Sequence, residues 1–219
     1  MRKKTIITGA LVLTLLCIYP LTRVVQASEA SIYNFDEEQK VEDAFFMAKR
    51  PVSFTLWQQV LNWATSDERG PNKYNFKNAG PNNGFKKDEP VSGISWRDMI
   101  VWCNAFTEYY NTVTQNSDRD CVYLIGGGII RDSDMKNSDW QEITFDPIAT
   151  GYRLPTSKEW EHLVAQREEH FGIWEIWYDI DCHTLQKSVA IPETQLFGEE
   201  RFTETTIWDD VGFRPVRNQ

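Results

Sequence analysis

The sequence is short of basic residues. It has 23 Lys and Arg against 32 Asp and Glu, which gives a formal net charge of −9. A chain of this charge repels phosphate backbones and anionic membrane surfaces, so nucleic acid is excluded as the main partner. A solubilising surface would explain the charge without any partner.

The sequence also lacks an apolar run long enough to cross a bilayer comfortably. Residues 5–19 are mostly apolar, follow the basic residues 2–4, and are closed by Arg23. A membrane-spanning helix needs about 20 apolar residues. Val-Gln-Ala at residues 25–27 has the small-residue pattern of a cleavage site. We therefore predict that residues 1–27 are a signal peptide, although an uncleaved anchor is an alternative.

Cysteine is scarce, with four in the chain. Cys17 lies in the predicted signal peptide, and its lipidation is an open alternative that the bulky Leu16 before it disfavours. Export to the periplasm, the cell surface or the medium would expose Cys103, Cys121 and Cys182 to oxidising conditions. One disulfide plus a free thiol is possible there, but the sequence does not decide which pair forms.

Removal of residues 1–27 takes away four basic residues and no acidic ones, so the net charge falls from −9 to −13. The remaining 192 residues suit a single domain with a sizeable core, and no transmembrane span is predicted in them. We interpret residues 28–43 as a polar, acidic lead-in and residues 44–217 as the domain.

Helical spacing of apolar residues predicts two helices in the first half of the domain. The first begins after Ser53, which is a good N-cap residue. The second begins after Ser95, which has capping-box spacing to Asp98. Cys103 lies on the apolar face of this second helix and is interpreted as a small buried hydrophobe. Residues 65–89, rich in Asn, Gly, Lys and Asp, predict a long loop between the helices.

Strand signals flank these helices. Residues 44–48 predict a strand, and residues 121–131 predict a β-hairpin that turns at Gly126–Gly128. A phosphate-binding loop is the alternative for the three glycines, but no helix and no Lys follow them as that motif requires. Residues 132–146 are polar and predict a loop.

The stretch around which the chain is organised is Gly-Tyr-Arg-Leu-Pro-Thr-Ser-Lys-Glu-Trp-Glu at residues 151–161. Pro155 ends an extended run because it has no backbone donor. Thr156 and Glu159 have capping-box spacing, so a helix begins here. Trp160 and the apolar residues after it supply the buried face of that helix.

This string closely resembles the hallmark of the formylglycine-generating enzyme (sulfatase-modifying factor) family, whose fold is similar to that of C-type lectins. Pro90–Asp98 resembles the family's Pro-Val-x-x-Val-Ser-Trp-x-Asp-Ala element, and residues 211–217 resemble its terminal Gly-Phe-Arg-x-Val strand. The resemblance implies an α+β, irregular C-type-lectin-like fold. We expect a twisted, mainly antiparallel sheet with two or three helices and long loops.

Residues 171–179 resemble a family element that helps to form a calcium site. Glu175 and Asp179 keep the family spacing and are the candidate calcium ligands. Gly172 stands where the family has Asn, and Ile176 replaces a second Trp, which disfavours the site. The alternative is a core strand whose Trp residues fill the interior.

The redox chemistry of the family depends on two neighbouring cysteines near the C-terminus, which bind copper(I) in its aerobic enzymes. Residues 180–210 contain a single cysteine, Cys182, which is therefore the sole candidate for a catalytic residue. The carboxylate, thiolate and imidazole groups of Asp179, Asp181, Cys182 and His183 are ligand types that suit zinc. Neighbouring positions on a strand face opposite sides, however, so Cys182 and His183 converge poorly.

We therefore predict an exported, non-catalytic ligand- or protein-binding module, with its binding residues in the rewritten segment 180–210. Trp177 and Trp208, with Trp174, are candidates for an exposed binding surface, although most of the nine Trp residues are expected in the core. The alternative function is a copper-dependent oxidase that converts a substrate cysteine to formylglycine during sulfatase maturation. The resemblance leaves calcium, bound at Glu175 and Asp179, as a further candidate cofactor.

Overall fold

The computed structural model describes residues 38–41, 44–80, 89–114, 118–156, 158–160, 174–179, 184–188, 207, 209 and 211–219. For residues 174–179 and 184–188 only the backbone is described. All of these residues belong to one compact unit, Ile32–Gln219. The predicted signal peptide, Cys17 and most of the predicted lead-in lie outside the described residues.

The described strands form three sheets, ordered β1-β2-β10-β6, β4-β3-β5 and β8-β7-β9. Every described strand pair is antiparallel except β7 with β9. The strands are β1 Glu38–Val41, β2 Phe45–Ala48, β3 Tyr123–Ile125, β4 Gly128–Ile129, β5 Ile143–Phe145, β6 Tyr152–Arg153, β7 Trp174–Asp179, β8 Thr184–Ser188, β9 Val211–Phe213 and β10 Val216–Asn218.

Both predicted helix starts are confirmed. The helices are α1 Phe54–Ala64, α2 Trp96–Thr114 and the single turn α3 Asn137–Trp140. Ser53 Oγ accepts from the backbone N–H of Leu56 at 3.2 Å and caps α1. The capping box of α2 is complete, because the Asp98 N–H donates to Ser95 Oγ at 3.3 Å and the Ser95 N–H donates to Asp98 Oδ2 at 3.0 Å. In the part of the chain that the structure describes, no helix has both the length and the apolar character that membrane crossing requires.

The core is built around α2 and is rich in aromatic rings. The rings of Trp57 and Trp102 stack with centroids 5.6 Å apart, and Phe106 stacks on Trp102 at 4.8 Å. Phe213 of β9 meets both Trp rings edge-on. Cys103 is fully buried in this cluster, as predicted. Aromatic pairs contribute about 0.5–1.5 kcal/mol each beyond the area that they bury, so this cluster fixes β9 to the helices.

The predicted α+β class, the hairpin and the strand at residues 44–48 are confirmed. The hairpin turns at Gly126 and Gly127, whose φ angles of 55° and 80° are those that a two-residue turn requires. The structure contains four short elements that the sequence did not predict. Strand β1 lies within the predicted lead-in, a 3₁₀ helix at Asp67–Asn72 interrupts the predicted long loop, and α3 and β5 lie within the predicted loop 132–146. Elements of three to six residues contain too few apolar positions to show a period.

Candidate functional site

The glycine of the hallmark string is required by close packing. A Cβ atom on Gly151 would lie 2.9 Å from the side chain of Thr107 and closer still to the carbonyl oxygen of Asp120. The Gly151 N–H donates to that same carbonyl at 3.0 Å, and the next residue, Tyr152, donates its N–H to Thr107 Oγ1 at 2.8 Å. The string therefore runs directly against the Thr107 side chain of α2 and the backbone of Asp120, and a side chain at position 151 would clash with both.

The charged residues of the string form a structural ion pair. Arg153 Nη1 and Nη2 donate to the two carboxylate oxygens of Glu159 at 2.7 and 2.6 Å, and Nη2 also donates to Asn218 Oδ1 at 2.9 Å. The Thr156 N–H donates to Glu159 Oε2 at 2.8 Å, and the Glu159 N–H donates to Thr156 Oγ1 at 3.3 Å, which confirms the predicted capping box. Burial raises the pKa of Glu159, but the Arg153 guanidinium and the Thr156 donors outweigh it, so the pKa is below its ordinary value.

Leu154 and Trp160 of the string also pack inward. The Leu154 N–H donates to the Tyr123 hydroxyl at 2.8 Å, and Trp160 is 1% exposed. Residues 151–155 are all buried. Residues 151–155, Glu159 and Trp160 of the hallmark therefore serve the scaffold.

A second buried centre lies at the start of α2. The Asp98 carboxylate is completely buried and accepts five hydrogen bonds, from the N–H and Oγ of Ser95, the N–H and Nδ2 of Asn78, and the Oγ of Ser133. These partners join the long loop, α2 and the segment after β4. The capping-box spacing predicts the pairing of Asp98 with Ser95, whereas Asn78 and Ser133 are distant in the chain and carry no local signal.

Glu108 organises a third polar cluster that the sequence analysis missed. Its carboxylate accepts from Arg69 Nη2 at 2.5 Å, from the Tyr74 hydroxyl at 3.0 Å and from Arg131 Nη2. The Arg69 guanidinium lies 3.9 Å over the ring of Trp63. The cluster fixes the 3₁₀ helix against α2 and the hairpin, and no local motif in the sequence signals it.

The thiols of Cys103 and Cys121 are both free and buried. Burial raises the pKa of the Cys103 thiol far above its ordinary value. Burial and the nearby Glu108 carboxylate raise the pKa of Cys121 to about 12, and its Sγ donates to the Asn104 carbonyl at 3.6 Å. A thiol must lose its proton to bind copper or act as a nucleophile, so neither residue is prepared for that chemistry. Cys182 lies outside the described residues.

The candidate residues Glu175, Trp177 and Asp179 lie on β7, the central strand of the sheet β8-β7-β9. Glu175 and Asp179 are four residues apart on one extended strand, which separates their Cα atoms by about 13 Å. Calcium holds its oxygen ligands at about 2.3–2.6 Å, so this separation disfavours a single ion bound by both carboxylates. Calcium at Glu175 with other ligands stays a prediction.

The segment 180–210, which the sequence predicts as one continuous binding segment, contains a strand in the structure. Residues 184–188 form β8, and all five of them pair with β7. Thr184 pairs with Asp179 at one end, and Ser188 pairs with Glu175 at the other. Residues 180–183, with Cys182, connect the two strands at one end of the sheet. Strand β9 begins at the other end of the sheet, where Val211 pairs with Trp174, and Trp208 precedes Val211 by three residues in the sequence. Cys182 and Trp208 themselves lie outside the described residues.

The sheet β8-β7-β9 is attached to the core through β9. Val211 and Phe213 are buried, and the Phe213 carbonyl accepts from the Val52 N–H at 3.0 Å. Just before β9, Ser92 Oγ donates to the Asp209 carbonyl at 2.5 Å. The scaffold therefore fixes one edge of this sheet, and β8 forms the opposite edge.

Comparisons with known proteins agree with this architecture. The chain matches a family profile described as the sulfatase-modifying factor enzyme 1-like domain over residues 23–175. It is 26% identical over 154 residues to a protein named chaperone protein LppX from Paenibacillus barcinonensis, covering 66% of this chain and 45% of that protein. The chain thus spans about half the length of this curated relative.

Two solved structures have the same fold. The crystal structure of CarF aligns with a TM-score of 0.59 at 16% identity, over 80% of this chain and 86% of that one. Treponema denticola variable protein 1 aligns with a TM-score of 0.54 at 16% identity, over 80% and 84%. At this identity the likeness concerns the fold alone. The chain belongs to the sulfatase-modifying factor enzyme 1-like domain family.

Proposed function

We propose that this protein is an exported, non-catalytic binding domain, and that it holds its ligand at the sheet β8-β7-β9 and the segments that this sheet connects. Trp177 and Trp208 are the side chains that we assign to ligand contact. Export rests on the predicted signal peptide at residues 1–27, and the destination is the periplasm, the cell surface or the medium.

The observation that carries this proposal is the use of the buried, described residues of the hallmark string in packing. Gly151, Arg153 and Glu159 hold the string against α2 and β10, and none of them is left for a reacting group. The described thiols, Cys103 and Cys121, are buried and protonated. Copper(I) binding by either of these thiols would require the thiol to lose its proton inside the core.

A protein partner is favoured over a small molecule by the name of the Paenibacillus relative, which is a chaperone protein. That protein is more than twice the length of the matched region, so its activity as a whole does not transfer to this chain. A domain that presents Trp side chains to an unfolded or extended client is compatible with a scaffold of this kind, because Trp supplies large contact area with few rotatable bonds.

Suppression of aggregation tests the proposal directly. Residues 28–219 would be mixed with insulin, whose B chain aggregates on reduction, and light scattering would be followed at increasing molar ratios. We expect the protein to suppress scattering, and Trp177→Ala to suppress it less. The matched control is Ile148→Ala. Its side chain is also apolar and is 83% exposed, but it lies outside β7. Absence of suppression by the unmodified protein would contradict client binding, and equal loss in both variants would contradict the assigned face.

A further inference from the structure

Two arginine side chains converge at Glu108, the centre of the polar cluster that joins the 3₁₀ helix to α2. Arg69 Nη2 donates to Glu108 Oε2 at 2.5 Å, and Arg131 Nη2 donates to Glu108 Oε1. Both guanidiniums also donate to the Asn72 carbonyl, Arg69 from Nη2 at 3.5 Å and Arg131 from Nε at 3.3 Å. Both lie over the ring of Tyr74, at 6.0 and 5.2 Å from its centroid. The two guanidiniums are therefore held side by side.

These guanidiniums have more hydrogen-bond donors than the described residues use. A guanidinium carries five N–H donors. The contacts to Glu108 and Asn72 use two donors of each, so three on Arg69 and three on Arg131 have no acceptor in the part of the chain that the structure describes. Arg69 Nε is one of them and is buried. The two side chains are 18% and 20% exposed, so a ligand can reach them from solvent.

The cluster also carries more positive than negative charge. Two guanidinium cations face the single carboxylate of Glu108, which leaves one positive charge in excess. Burial raises the pKa of the Tyr74 phenol, so this hydroxyl stays protonated and adds no negative charge. The neighbouring Lys73 and Asp67 neutralise each other in an exposed ion pair. Because like charges repel, one further negative charge at the two guanidiniums would stabilise the cluster.

We propose that Arg69 and Arg131 bind a carboxylate group of a ligand through the N–H donors that Glu108 does not use. The same mode is already present in the protein, because each guanidinium holds one oxygen of the Glu108 carboxylate. The planar guanidinium matches carboxylate geometry, and hydrogen bonds between these charged groups are stronger than neutral ones. A carboxylate carries the one negative charge that the cluster lacks, whereas a phosphate dianion would reverse its net charge. The site shares no residue with the sheet β8-β7-β9, so it does not depend on the proposed function.

The test is an NMR titration of ¹⁵N-labelled residues 28–219, observed at the Nε–H signals of the arginine side chains. The probes are sodium acetate and an N-acetylated tetra-alanine peptide with a free C-terminal carboxylate. The matched controls are sodium chloride at the same ionic strength and the same peptide with a C-terminal amide. The variants Arg69→Gln and Arg131→Gln assign the two signals, since each variant lacks one of them.

We expect acetate and the acid peptide to shift both signals until they saturate, and chloride and the amide peptide to leave them unchanged. The affinity should fall as ionic strength rises, because the side chains are partly exposed. Tighter binding of the acid peptide than of acetate would assign the carboxylate to a peptide partner, and equal binding would assign it to a free organic acid. Equal shifts with chloride or with the amide peptide would overturn the proposal, as would tighter binding of inorganic phosphate than of acetate.

The variant Arg131→Gln tests the site in a protein that should still fold. Glu108 keeps Arg69 and Tyr74 as donors in this variant, so the melting temperature should change little. Acetate should bind about fivefold more weakly, the factor expected for the loss of one partly exposed ion pair. The control is Lys73→Gln, which removes the same charge from an exposed position and should bind acetate as the unmodified protein does. Equal weakening in both variants would contradict the site.

A second substitution keeps the site testable if Arg131→Gln does not fold. The variant Arg131→Lys retains the positive charge opposite Glu108 but replaces the planar fork of donors with a single ammonium group. It should bind acetate more weakly than the unmodified protein. Binding of equal strength would show that the paired guanidiniums are not what holds the carboxylate, against the proposal.

Discussion

The Arg153–Glu159 ion pair provides the sharpest test of the view that the hallmark string is structural. The variant Glu159→Gln keeps the shape of the side chain and its acceptor for the Thr156 N–H, but removes the charge that Arg153 faces. The two side chains are 5% and 15% exposed, so the guanidinium would be left nearly buried without its counter-ion. Breaking a buried pair in this way costs about 3–5 kcal/mol.

We expect the lower end of that range, about 3 kcal/mol, because Arg153 retains the Asn218 Oδ1 and Leu154 carbonyl acceptors. For a chain of this size the melting temperature should fall by about 6–12 °C. Chemical unfolding with tryptophan fluorescence would measure the free energy of unfolding. The control is Asp67→Asn, which breaks the exposed ion pair with Lys73 and should leave the protein unchanged within error.

The loss should also depend on pH. Because the folded pKa of Glu159 lies below its ordinary value of 4.5, the pair stabilises the protein fully above pH 4.5 and loses that contribution as the pH falls through the folded pKa. The difference between the unmodified protein and Glu159→Gln should therefore be largest at neutral pH and shrink in acid. A difference under about 1 kcal/mol at pH 7, or one that does not change with pH, would refute the structural reasoning.

Three further predictions concern the core. Gly151→Ala should lower the free energy of unfolding by about 1–3 kcal/mol through overpacking. The control variant Gly128→Ala should be tolerated, because the nearest atom to its new Cβ would lie at an ordinary 3.6 Å. Equal effects of the two variants in urea unfolding would contradict this reasoning. Asp98→Asn should cost about 3 kcal/mol because buried donors lose their charged acceptor, and a loss within error in the same assay would contradict the buried network. Cys103 and Cys121 should resist iodoacetamide at pH 8 in the native protein and react after unfolding, and rapid native labelling by mass spectrometry would contradict their burial.

The sequence predicted those parts of the fold that depend on local signals. The caps at Ser53 and Ser95 and the hairpin turn at Gly126 and Gly127 each need only a few neighbouring residues, and the structure confirms them. The short elements β1, α3 and β5 were missed because their stability comes from tertiary contacts. Trp140 of α3, for example, is buried against Trp96 and under the Arg97 guanidinium.

The site was less predictable than the fold because it depends on topology. No residue pattern predicts the pairing of β8 with β7, so the sequence analysis assigned Cys182 and Trp208 to one binding segment. In the structure, Thr184, which follows Cys182, and Val211, which follows Trp208, lie at opposite ends of the sheet β8-β7-β9. The role of Gly151 was equally hidden, because the atoms that it must avoid belong to Thr107 and Asp120.

A copper(I) titration of reduced residues 28–219 tests the central claim most directly. A chromophoric copper(I) chelator would compete with the protein, and Cys182→Ser would be titrated in parallel. We predict that the folded protein takes no stoichiometric copper from the chelator, and that the variant behaves the same. Tight binding of one equivalent that disappears in Cys182→Ser would show that a second thiol converges on Cys182, and would replace the binding domain with an oxidase.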